Sequence, residues 1–543
     1  MEYCCIARVA YAELPTVKPS SITGEDRWAK ITVKPHGWTA ESGITGRGTE
    51  DDPYILRCAE SFAALRDEVN AGISYAGSFF KLAEDITLPA DWTPIGCLKD
   101  ESVTPGALDY ADKGRNMNPF SGTLDGDGHT LTMAKGSRPL LMFARKATVR
   151  NLNIQGERIV GNGLLERYVI DYGTEGYYNN SVPNTITIEN CHIVGDTNIT
   201  GSGFLSGYAS GLNIVMIVNC SVGEDVVIGC DKDQSEVGSL AGHFNGSVMN
   251  CTSAATVYGK SRVGGLVGYK GQSMGPCSIS SSSFTGKVIA TGDYAGGILG
   301  SGYNQGSAPN SPWATIKGCF VTGSIQGRDG VGGITGGEPG VVQCWDNGIG
   351  GITDNVFYGE IHATGTSVGA IVGTIRSLNK NTLVDNNYYL AGCGTSKGIG
   401  SITTVDTKYK PSTLPKDTEY ICTSDGYTNI FFKDGDYSRE DDPVGKDADK
   451  LSKAVTNTVL KDGTVVQWLN TSESSYHNWM QGTVGPILSN KAIAYDLEIT
   501  GEINQHYVGD ALNLSGLTLT AKWSDGTTTL SLIHISEPTR QEA

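Results

Sequence analysis

The feature that most constrains this chain is a short glycine-rich phrase that occurs six times between residues 203 and 373. Successive copies begin 26 to 37 residues apart. A repeat of this length predicts stacked units, because each unit is too short to bury its own apolar face and must bury it against a neighbour. The copies are Gly203-Phe-Leu-Ser-Gly207, Val237-Gly-Ser-Leu-Ala-Gly242, Val263-Gly-Gly-Leu-Val-Gly268, Ala295-Gly-Gly-Ile-Leu-Gly300, Val331-Gly-Gly-Ile-Thr-Gly336 and Val368-Gly-Ala-Ile-Val-Gly373.

A second pattern keeps register with the phrase: an aliphatic residue is followed three positions later by cysteine or another small residue. No sustained helical period of apolar residues occurs between residues 180 and 390, where short runs rich in Val, Ile and Thr alternate with Gly, Asn and Ser. We therefore expect strands without helices, and glycines at corners that need positive φ. The pairs are Ile188/Cys191, Ile217/Cys220, Val248/Cys251, Ile279/Ser282, Ile316/Cys319 and Ile352/Asn355.

The sequence thus predicts an all-β chain, whose residues 120–390 form one right-handed parallel β-helix with Leu266, Ile298 and Ile334 on one face. The phrase resembles the GLUG motif of bacterial surface proteins, which also occurs beside the IgA-specific metallopeptidase domain. The resemblance covers roughly residues 200–390, is specific as a repeat, and says almost nothing about activity. It implies a β-helical, extracellular protein.

Composition narrows the class of protein further. The 543 residues include 72 glycines, only 18% are charged, and the formal net charge is -17. This acidic balance argues against a nucleic-acid groove, which needs a basic stripe, and no apolar stretch is long enough to span a membrane. Ala10-Tyr11-Ala12 has the form of a signal-peptidase site without a proper signal sequence before it. It is read as the remnant of a signal peptide, or else as an ordinary leader.

The thirteen cysteines contain no Cys-x-x-Cys pair, which disfavours zinc ribbons and thioredoxin-like redox sites. Cys191, Cys220, Cys251 and Cys319 share one position of the repeat, where a disulfide or metal ladder competes with simple packing. In-register stacking separates Cβ atoms by about 4.8 Å, outside the roughly 3.5–4.5 Å of a disulfide, so packing as small apolar side chains is favoured. On that reading, replacing Cys220 by Ser costs more than replacing it by Ala.

The segments on either side of the repeat differ from it in pattern. Residues 58–70 predict a helix that caps the solenoid, the pattern at 448–469 predicts a second helical cap, and 493–529 resembles the opening of a bacterial Ig-like domain. The predicted divisions are a leader at 1–37, an N-terminal cap at 38–118, a parallel β-helix at 119–400, last coils or a linker with a C-terminal cap at 401–492, a truncated Ig-like β-sandwich at 493–529, and a non-native tail at 530–543.

The sequence contains no recognisable catalytic, cofactor or metal motif. His-Glu-x-x-His and Gly-x-Ser-x-Gly are missing, and Lys270 is out of register for a phosphate loop. Asp125, Asp127 and His129 invite a catalytic or calcium reading, but their alternation with glycine is more typical of a tight turn. No cofactor and no nucleic-acid partner is therefore predicted.

We accordingly expect a non-enzymatic, adhesin-like cell-surface binding or stalk protein, located outside the cell and without a transmembrane segment. Its partner would be a glycan or a surface protein, and cell-wall attachment would lie in a missing C-terminus. The two longest insertions between phrase and aliphatic anchor carry Tyr303, Trp313 and Trp345 and should leave the solenoid side by side. The alternatives are a β-helical polysaccharide lyase or glycoside hydrolase, with charged groups aligned on one outer face, and a purely structural spacer.

Overall fold

The structure is a computed structural model of the 543-residue chain. It describes residues 2–5, 29–32, 42–100, 116–168, 185–206, 214–270, 277–302, 314–337, 350–375, 382–402, 418–423, 426–432, 452–472, 476, 478–489, 494–500, 518–523 and 528–532.

Stacked parallel strands dominate the described chain and form a parallel β-helix, as the repeat predicts. Each regular coil runs in turn through five sheets, here numbered 1 to 5. Sheet 1 contains Tyr54–Leu56, Phe79–Leu82, Thr123–Asp125, Thr148–Arg150, Thr185–Glu189, Ile214–Val218, Gly246–Met249, Cys277–Ser280, Ala314–Lys317, Gly350–Thr353 and Thr382–Asp385. Sheet 2 contains Ile86–Leu88, Thr130–Met133, Asn153–Gly156, His192–Ile193, Ser221–Val222, Thr252–Ser253, Ser283–Phe284, Phe320–Val321, Val356–Phe357, Asn387–Leu390 and Ser452–Val455.

The other three sheets complete each coil. Sheet 3 contains Asn198–Ile199, Val227–Ile228, Thr256–Gly259, Lys287–Ala290, Ser324–Gly327 and Glu360–Ala363. Sheet 4 contains Val237–Gly238, Val263–Gly264, Ala295–Gly296, Val331–Gly332 and Val368–Gly369. Sheet 5 contains Leu141–Ala144, Leu165–Tyr168, Ala241–Phe244, Val267–Lys270, Leu299–Gly302, Val372–Ile375 and Ile399–Ile402, with single bridges through Leu205 and Thr335 joining its three parts.

Inward-facing aliphatic residues form continuous rows along the solenoid. In sheet 1, Ile217 pairs with Ile188 on one side and Val248 on the other, and all three are fully buried. The predicted aliphatic anchors therefore occupy one row, which removes their side chains from water at each coil. The complete row is Phe80, Leu124, Val149, Ile188, Ile217, Val248, Ile279, Ile316, Ile352 and Val384.

The repeated phrase builds sheet 4 and the corner that leads into sheet 5. The Leu266 amide donates to the Ile298 carbonyl, and the Ile298 amide donates to the Ile334 carbonyl, so these three buried residues share one face as predicted. The predicted reason for the glycines is wrong, because Gly264 and its equivalents do not have positive φ. A Cβ atom on Gly264 would lie 1.8 Å from the Val267 carbonyl oxygen, so close backbone approach excludes any side chain.

The N-terminal end is capped as the sequence predicts. A helix spans Ala59–Asn70 and buries Phe62, Leu65 and Val69. Phe62 meets Trp92 edge-on, with ring centroids 6.4 Å apart. The helix thereby belongs to the same apolar core as the first coils.

The C-terminal segment packs differently from the predicted helical cap. The start of that predicted helix is a strand, Ser452–Val455, which extends sheet 2. Two short helices and a hairpin follow and form what we call the C-terminal module: Asn457–Lys461, Thr464–Thr471, and Trp479–Gln481 paired with Pro486–Leu488. The module covers the outer face of sheet 2, because that face becomes apolar in the last coils at Phe320, Val356 and Tyr388.

The remaining described strands pair antiparallel. Ala494–Thr500, Thr518–Trp523 and Thr528–Leu532 form a three-stranded sheet, in the segment compared above with an Ig-like domain. Its third strand extends into the stretch from Leu530 that the sequence analysis set aside as non-native. The other antiparallel pairs are Glu2–Cys5 with Ala29–Thr32, Cys97–Leu98 with Met117–Asn118, and Thr418–Thr423 with Gly426–Phe432.

Candidate functional site

One corner of the solenoid receives almost every insertion between coils. We call it the insertion corner: it is the connection from a sheet 5 strand to the next sheet 1 strand. Because sheets 1 and 5 stack in register, insertions at this corner leave from neighbouring positions on one side of the molecule. The insertions are 169–184, 207–213, 271–276, 303–313, 338–349 and 376–381, which lie outside the described residues.

The predicted partner residues Tyr303, Trp313 and Trp345 also lie outside the described residues. The flanks of their two segments are nevertheless neighbours. Leu299 bridges Thr335 before the segments leave, and Ile316 pairs with Ile352 after they return. These flanks agree with the expected side-by-side departure, while the three aromatic residues stay a prediction.

A buried lysine marks the base of the insertion corner. Lys270 ends a sheet 5 strand and is 1% exposed, and desolvation lowers its pKa. Burial also raises the pKa of Cys277, which begins the next sheet 1 strand, to about 12. The neighbouring cavity has a volume of ≈ 20 Å³, enough for one water molecule. Lys270, Leu299, Gly302, Ala314, Ile316, Thr335, Gly337, Ile352, Val372 and Thr374 line it.

The burial of Lys270 could not be predicted from the sequence, because it follows from the stacking of coils rather than from a local motif. An amine in these surroundings is biased toward its neutral form. Because it is buried, this amine is poorly placed to attract an anion from solution.

A polar cluster lies where the phrase begins. Glu236 and Arg262 each precede a sheet 4 strand and have left-handed backbone, with φ of 64° and 59°. The Glu236 carboxylate accepts from Arg262 Nη1 at 2.8 Å and lies 3.1 Å from His243 Nδ1. The Arg262 guanidinium stacks on Tyr269 at 4.4 Å. Desolvation acts to raise the pKa of Glu236, but contacts with His243 and Arg262 outweigh it and lower that pKa.

This Glu236 cluster is internally paired. Each charge in it has an opposite charge or an aromatic face beside it, which favours a structural role in fixing two adjacent corners. The residues carry no common sequence signature, since they are separated by 26 and 7 positions along the chain and meet only through the coil register.

A second group of charged side chains lies on the outer face of the first coils. Sheet 1 pairing aligns Lys81, Asp125, Arg150 and Glu189 in successive coils, and we call these four the charged row. Their charges alternate in sign along the row. Sequence analysis did not predict such an alignment, because it follows from a strand register that no local pattern specifies.

Asp125 is the best-connected member of the charged row. Its carboxylate accepts from Arg150 Nε at 2.7 Å, from Asn151 Nδ2 at 3.0 Å and from the Asp127 amide at 2.9 Å. Partial burial acts to raise the pKa of Asp125, but these hydrogen bonds and the Arg150 charge outweigh it and hold that pKa below its usual value. Asp125 is therefore an ionised, structurally engaged group.

The other two residues of the acidic stretch are engaged as well. Asp127 has φ of 52° and forms an ion pair with Lys81 at 3.0 Å. His129 Nδ1 lies 3.3 Å from an Asp85 carboxylate oxygen. The tight-turn interpretation of this stretch agrees with the left-handed Asp127 and its hydrogen bond to Asp125.

The shared cysteine position is a ladder of hydrogen bonds inside the core. Cys220 Sγ accepts from the Cys191 amide at 3.4 Å and donates to the Val218 carbonyl at 3.3 Å. Ser282 Oγ accepts from the Cys251 amide at 3.1 Å, and Asn355 Oδ1 accepts from the Cys319 amide at 2.9 Å. The cysteines of the ladder are free thiols, and burial raises the pKa of Cys319 to about 12. The ladder thus connects each coil to the next through buried side chains.

Two further features of the described ranges bear on function. Within them, no three His, Cys, Asp or Glu side chains come together as a metal site would require. Among the same residues, none of the helices combines the length and the apolar composition that a bilayer crossing demands.

Comparison with known proteins gives limited similarity. No family model matches the chain, and no solved structure matches it. The chain is 26% identical over 263 residues to Halomucin of Haloquadratum walsbyi (strain DSM 16790 / HBSQ001). The match covers 47% of this chain and 2% of Halomucin, so the chain corresponds to a small fraction of that protein.

Proposed function

We propose that this chain is a non-enzymatic extracellular protein, secreted or held at the cell surface, whose β-helix presents the insertion corner to a partner. The observation that carries the proposal is the placement of six insertions at one corner of a stack of coils. A rigid scaffold whose insertions differ in length at one corner is typical of solenoids that bind a partner. The match to Halomucin is compatible with a surface or secreted protein.

The partner that best suits this corner is a glycan or a surface protein. Tyr303, Trp313 and Trp345 supply aromatic rings among small polar residues in the insertions 303–313 and 338–349. Such rings stack on sugars or anchor protein interfaces at low entropic cost. The resemblance of the phrase to the GLUG motif, and of 493–529 to a bacterial Ig-like domain, supports the same adhesin-like assignment.

Binding to a glycan array and to whole cells tests this proposal. The Trp313→Ala plus Trp345→Ala variant should lose at least about tenfold in affinity, or about 1.4 kcal/mol. Tyr476→Ala is a matched control, because it removes an aromatic side chain that is 41% exposed and lies on the C-terminal module. Unchanged binding by a folded double variant contradicts the assignment of the insertion corner.

The alternative proposal is a polysaccharide-degrading enzyme, and the charged row is the observation that favours it. Carboxylates and cations aligned across adjacent coils are the groups that such chemistry requires. The ion pairs of these residues favour the binding protein instead, because Arg150 pairs with Asp125 within the row and Lys81 pairs with Asp127 beside it.

Reducing-end and unsaturated-product assays on a panel of polysaccharides separate the two proposals. We expect no product from the wild type. Turnover that disappears in Asp125→Asn, in a protein that keeps its circular dichroism spectrum, would establish the enzyme and overturn the binding assignment.

A further inference from the structure

The last described coil is shorter than its neighbour, and the difference opens a notch in the solenoid. The preceding coil places ten residues between Phe357 in sheet 2 and Val368 in sheet 4. The last coil places only five between the equivalent residues, Tyr389 and Thr395. The missing residues are those that form a sheet 3 strand in each of the six coils before it, so sheet 3 ends at Glu360–Ala363.

The notch left by this deletion forms a cavity in the described structure. Its volume is ≈ 580 Å³, within the range of roughly 300–1,000 Å³ typical of small-molecule sites. Most of its lining is polar, and the hydroxyl groups of Thr364, Thr366 and Ser396 form no hydrogen bond with any described residue. The lining residues are Gln326, Gly327, Ile361, His362, Ala363, Thr364, Gly365, Thr366, Val368 and Gly394–Lys397.

Both walls of the notch are held in place by hydrogen bonds. The Asp329 carboxylate accepts from the Ser367 amide at 2.7 Å, which fixes the turn that carries Thr364 and Thr366. Opposite, Thr395 Oγ1 donates to the Val368 carbonyl at 3.1 Å, and the Tyr389 hydroxyl donates to the Ser396 carbonyl at 3.0 Å. A ligand would therefore meet hydroxyl groups on prearranged backbone, which reduces the entropic cost of binding.

The edge of sheet 3 is not fully available for an added peptide strand. The Ile361 amide already donates to the Cys393 carbonyl at 2.8 Å, and Gly394 packs against the Ile361 carbonyl. Strand addition depends on a run of free backbone groups, so an extended peptide fits this edge poorly.

We propose that the notch binds a neutral saccharide of one or two rings. Neighbouring hydroxyl groups that both donate and accept match the vicinal hydroxyls of a sugar. Among the charged groups nearby, His362 lies 3.4 Å from Glu360 and Lys397 Nζ contacts the Gly400 carbonyl at 3.5 Å. The lining contains no carboxylate and no arginine, and its four hydroxyl side chains outnumber its two basic ones, which favours a neutral ligand. The inference extends the glycan-binding part of the proposed function to a second site.

Titration with defined disaccharides tests the notch. The probes are cellobiose, maltose, lactose and N,N′-diacetylchitobiose, followed by saturation-transfer NMR and calorimetry on the full chain. Since no Phe, Tyr or Trp ring lines the notch, we expect a Kd near the millimolar range for at least one probe, which corresponds to about -4 kcal/mol. The absence of binding by all four probes would overturn the proposal.

Isosteric variants assign the binding to the notch. Thr364→Val plus Thr366→Val removes two hydroxyl groups at nearly constant volume and should weaken binding at least fivefold. Thr252→Val removes an exposed hydroxyl from sheet 2, far from the notch along the coil register, and should leave binding unchanged. Equal affinity in the notch variant and the control would contradict the proposal.

The same variants separate this inference from the proposed function. Loss of disaccharide binding in the notch variant, with cell binding still dependent on Trp313 and Trp345, supports both sites. Disaccharide binding that depends on Trp313 and Trp345 alone removes the notch and leaves the insertion corner in place.

Discussion

At the scale of single residues, the ladder in the core explains why the repeat accepts cysteine, serine and asparagine at one position. The side chain there must accept an amide hydrogen from the preceding coil. Cys220, Ser282 and Asn355 all do so, although they differ in size and polarity. The residue before each has left-handed backbone, as at Asn219 with φ of 55°, which turns the chain sharply from sheet 1 into sheet 2.

The first prediction follows from this ladder and reverses the order expected from packing alone. Cys220→Ala leaves the buried Cys191 amide without its acceptor and should cost about 1–3 kcal/mol in the free energy of unfolding. Cys220→Ser should cost less, because Ser282 fills the equivalent position with both hydrogen bonds made. Urea unfolding of the two variants measures the order, and a serine variant less stable than the alanine variant would refute the ladder.

The second prediction concerns Asp125 and pH. Its pKa in the folded protein lies below the usual value near 3.9, so its contribution to stability is complete above that value and is lost as pH falls through the folded pKa. Asp125→Asn should therefore destabilise the protein at pH 7, by about 1.5 kcal/mol for a partly exposed charged hydrogen bond. Thermal unfolding between pH 7 and pH 2 should show the difference from wild type shrinking below about pH 4. A constant difference across that range would contradict the ionised role.

At the scale of elements, the glycine-rich phrase allows backbone segments of the same coil and of the next coil to approach closely. Sheet 4 strands are two residues long, and their glycines contact carbonyl groups of the same coil and amides of the next. A Cβ atom on Gly264 would meet Val267 O at 1.8 Å and the Gly300 amide nitrogen at 2.7 Å. Neither neighbour is a flexible side chain, so the backbone itself would have to move.

The third prediction tests this close approach. Gly264→Ala should destabilise the β-helix strongly, by several kcal/mol, as expected when a core is overpacked against backbone. Gly223→Ala is the matched control, because its new methyl group would lie 3.5 Å from the nearest atom, the Ile193 carbonyl oxygen. Hydrogen exchange of the phrase amides and thermal unfolding report the effect. Equal stability of the two variants would mean that the corner relaxes at low cost.

At the scale of the whole molecule, the C-terminal module packs against the flank of the solenoid. The C-terminal module reaches back along the stack: the Asn478 side chain donates to Ser281 Oγ at 3.5 Å, and Tyr358 donates to the Pro486 carbonyl at 2.8 Å. Trp479 is 1% exposed and its ring packs 6.4 Å from that of Phe320. The module and the last coils therefore share one apolar cluster.

The fourth prediction is that this cluster unfolds as a unit. Trp479→Ala should cost about 3–5 kcal/mol, the range for removing a buried aromatic side chain. Amides near Phe320, Val356 and Tyr388 should then exchange faster, while those of the first coils keep their protection, because contacts in a solenoid are local. Met480→Ala, at a side chain that is 42% exposed, should stay within about 0.5 kcal/mol of wild type. Uniform loss of protection along the stack would argue against a local unit.

The sequence alone determined the repeat and its consequences. Units of 26 to 37 residues cannot bury an apolar face singly, so strand stacking and the row through Ile188, Ile217 and Val248 follow from periodicity. The helix over Ala59–Asn70 was readable from the spacing of Phe62, Leu65 and Val69 for the same reason, since burial follows a period that one sequence displays.

Only the tertiary structure decided which side chains of neighbouring coils lie beside one another. The charged row, the Glu236 cluster and the notch beside Thr364 depend on register and coil length, and these join residues that share no local pattern. The position of the C-terminal module was likewise decided by the tertiary structure. Its apolar side chains are evident in the sequence. They cover the flank of the stack rather than its end because the outer face of sheet 2 is apolar in the last coils. Periodicity can be read along a single sequence, whereas a site is formed by residues that are distant in sequence and become neighbours only in the folded chain.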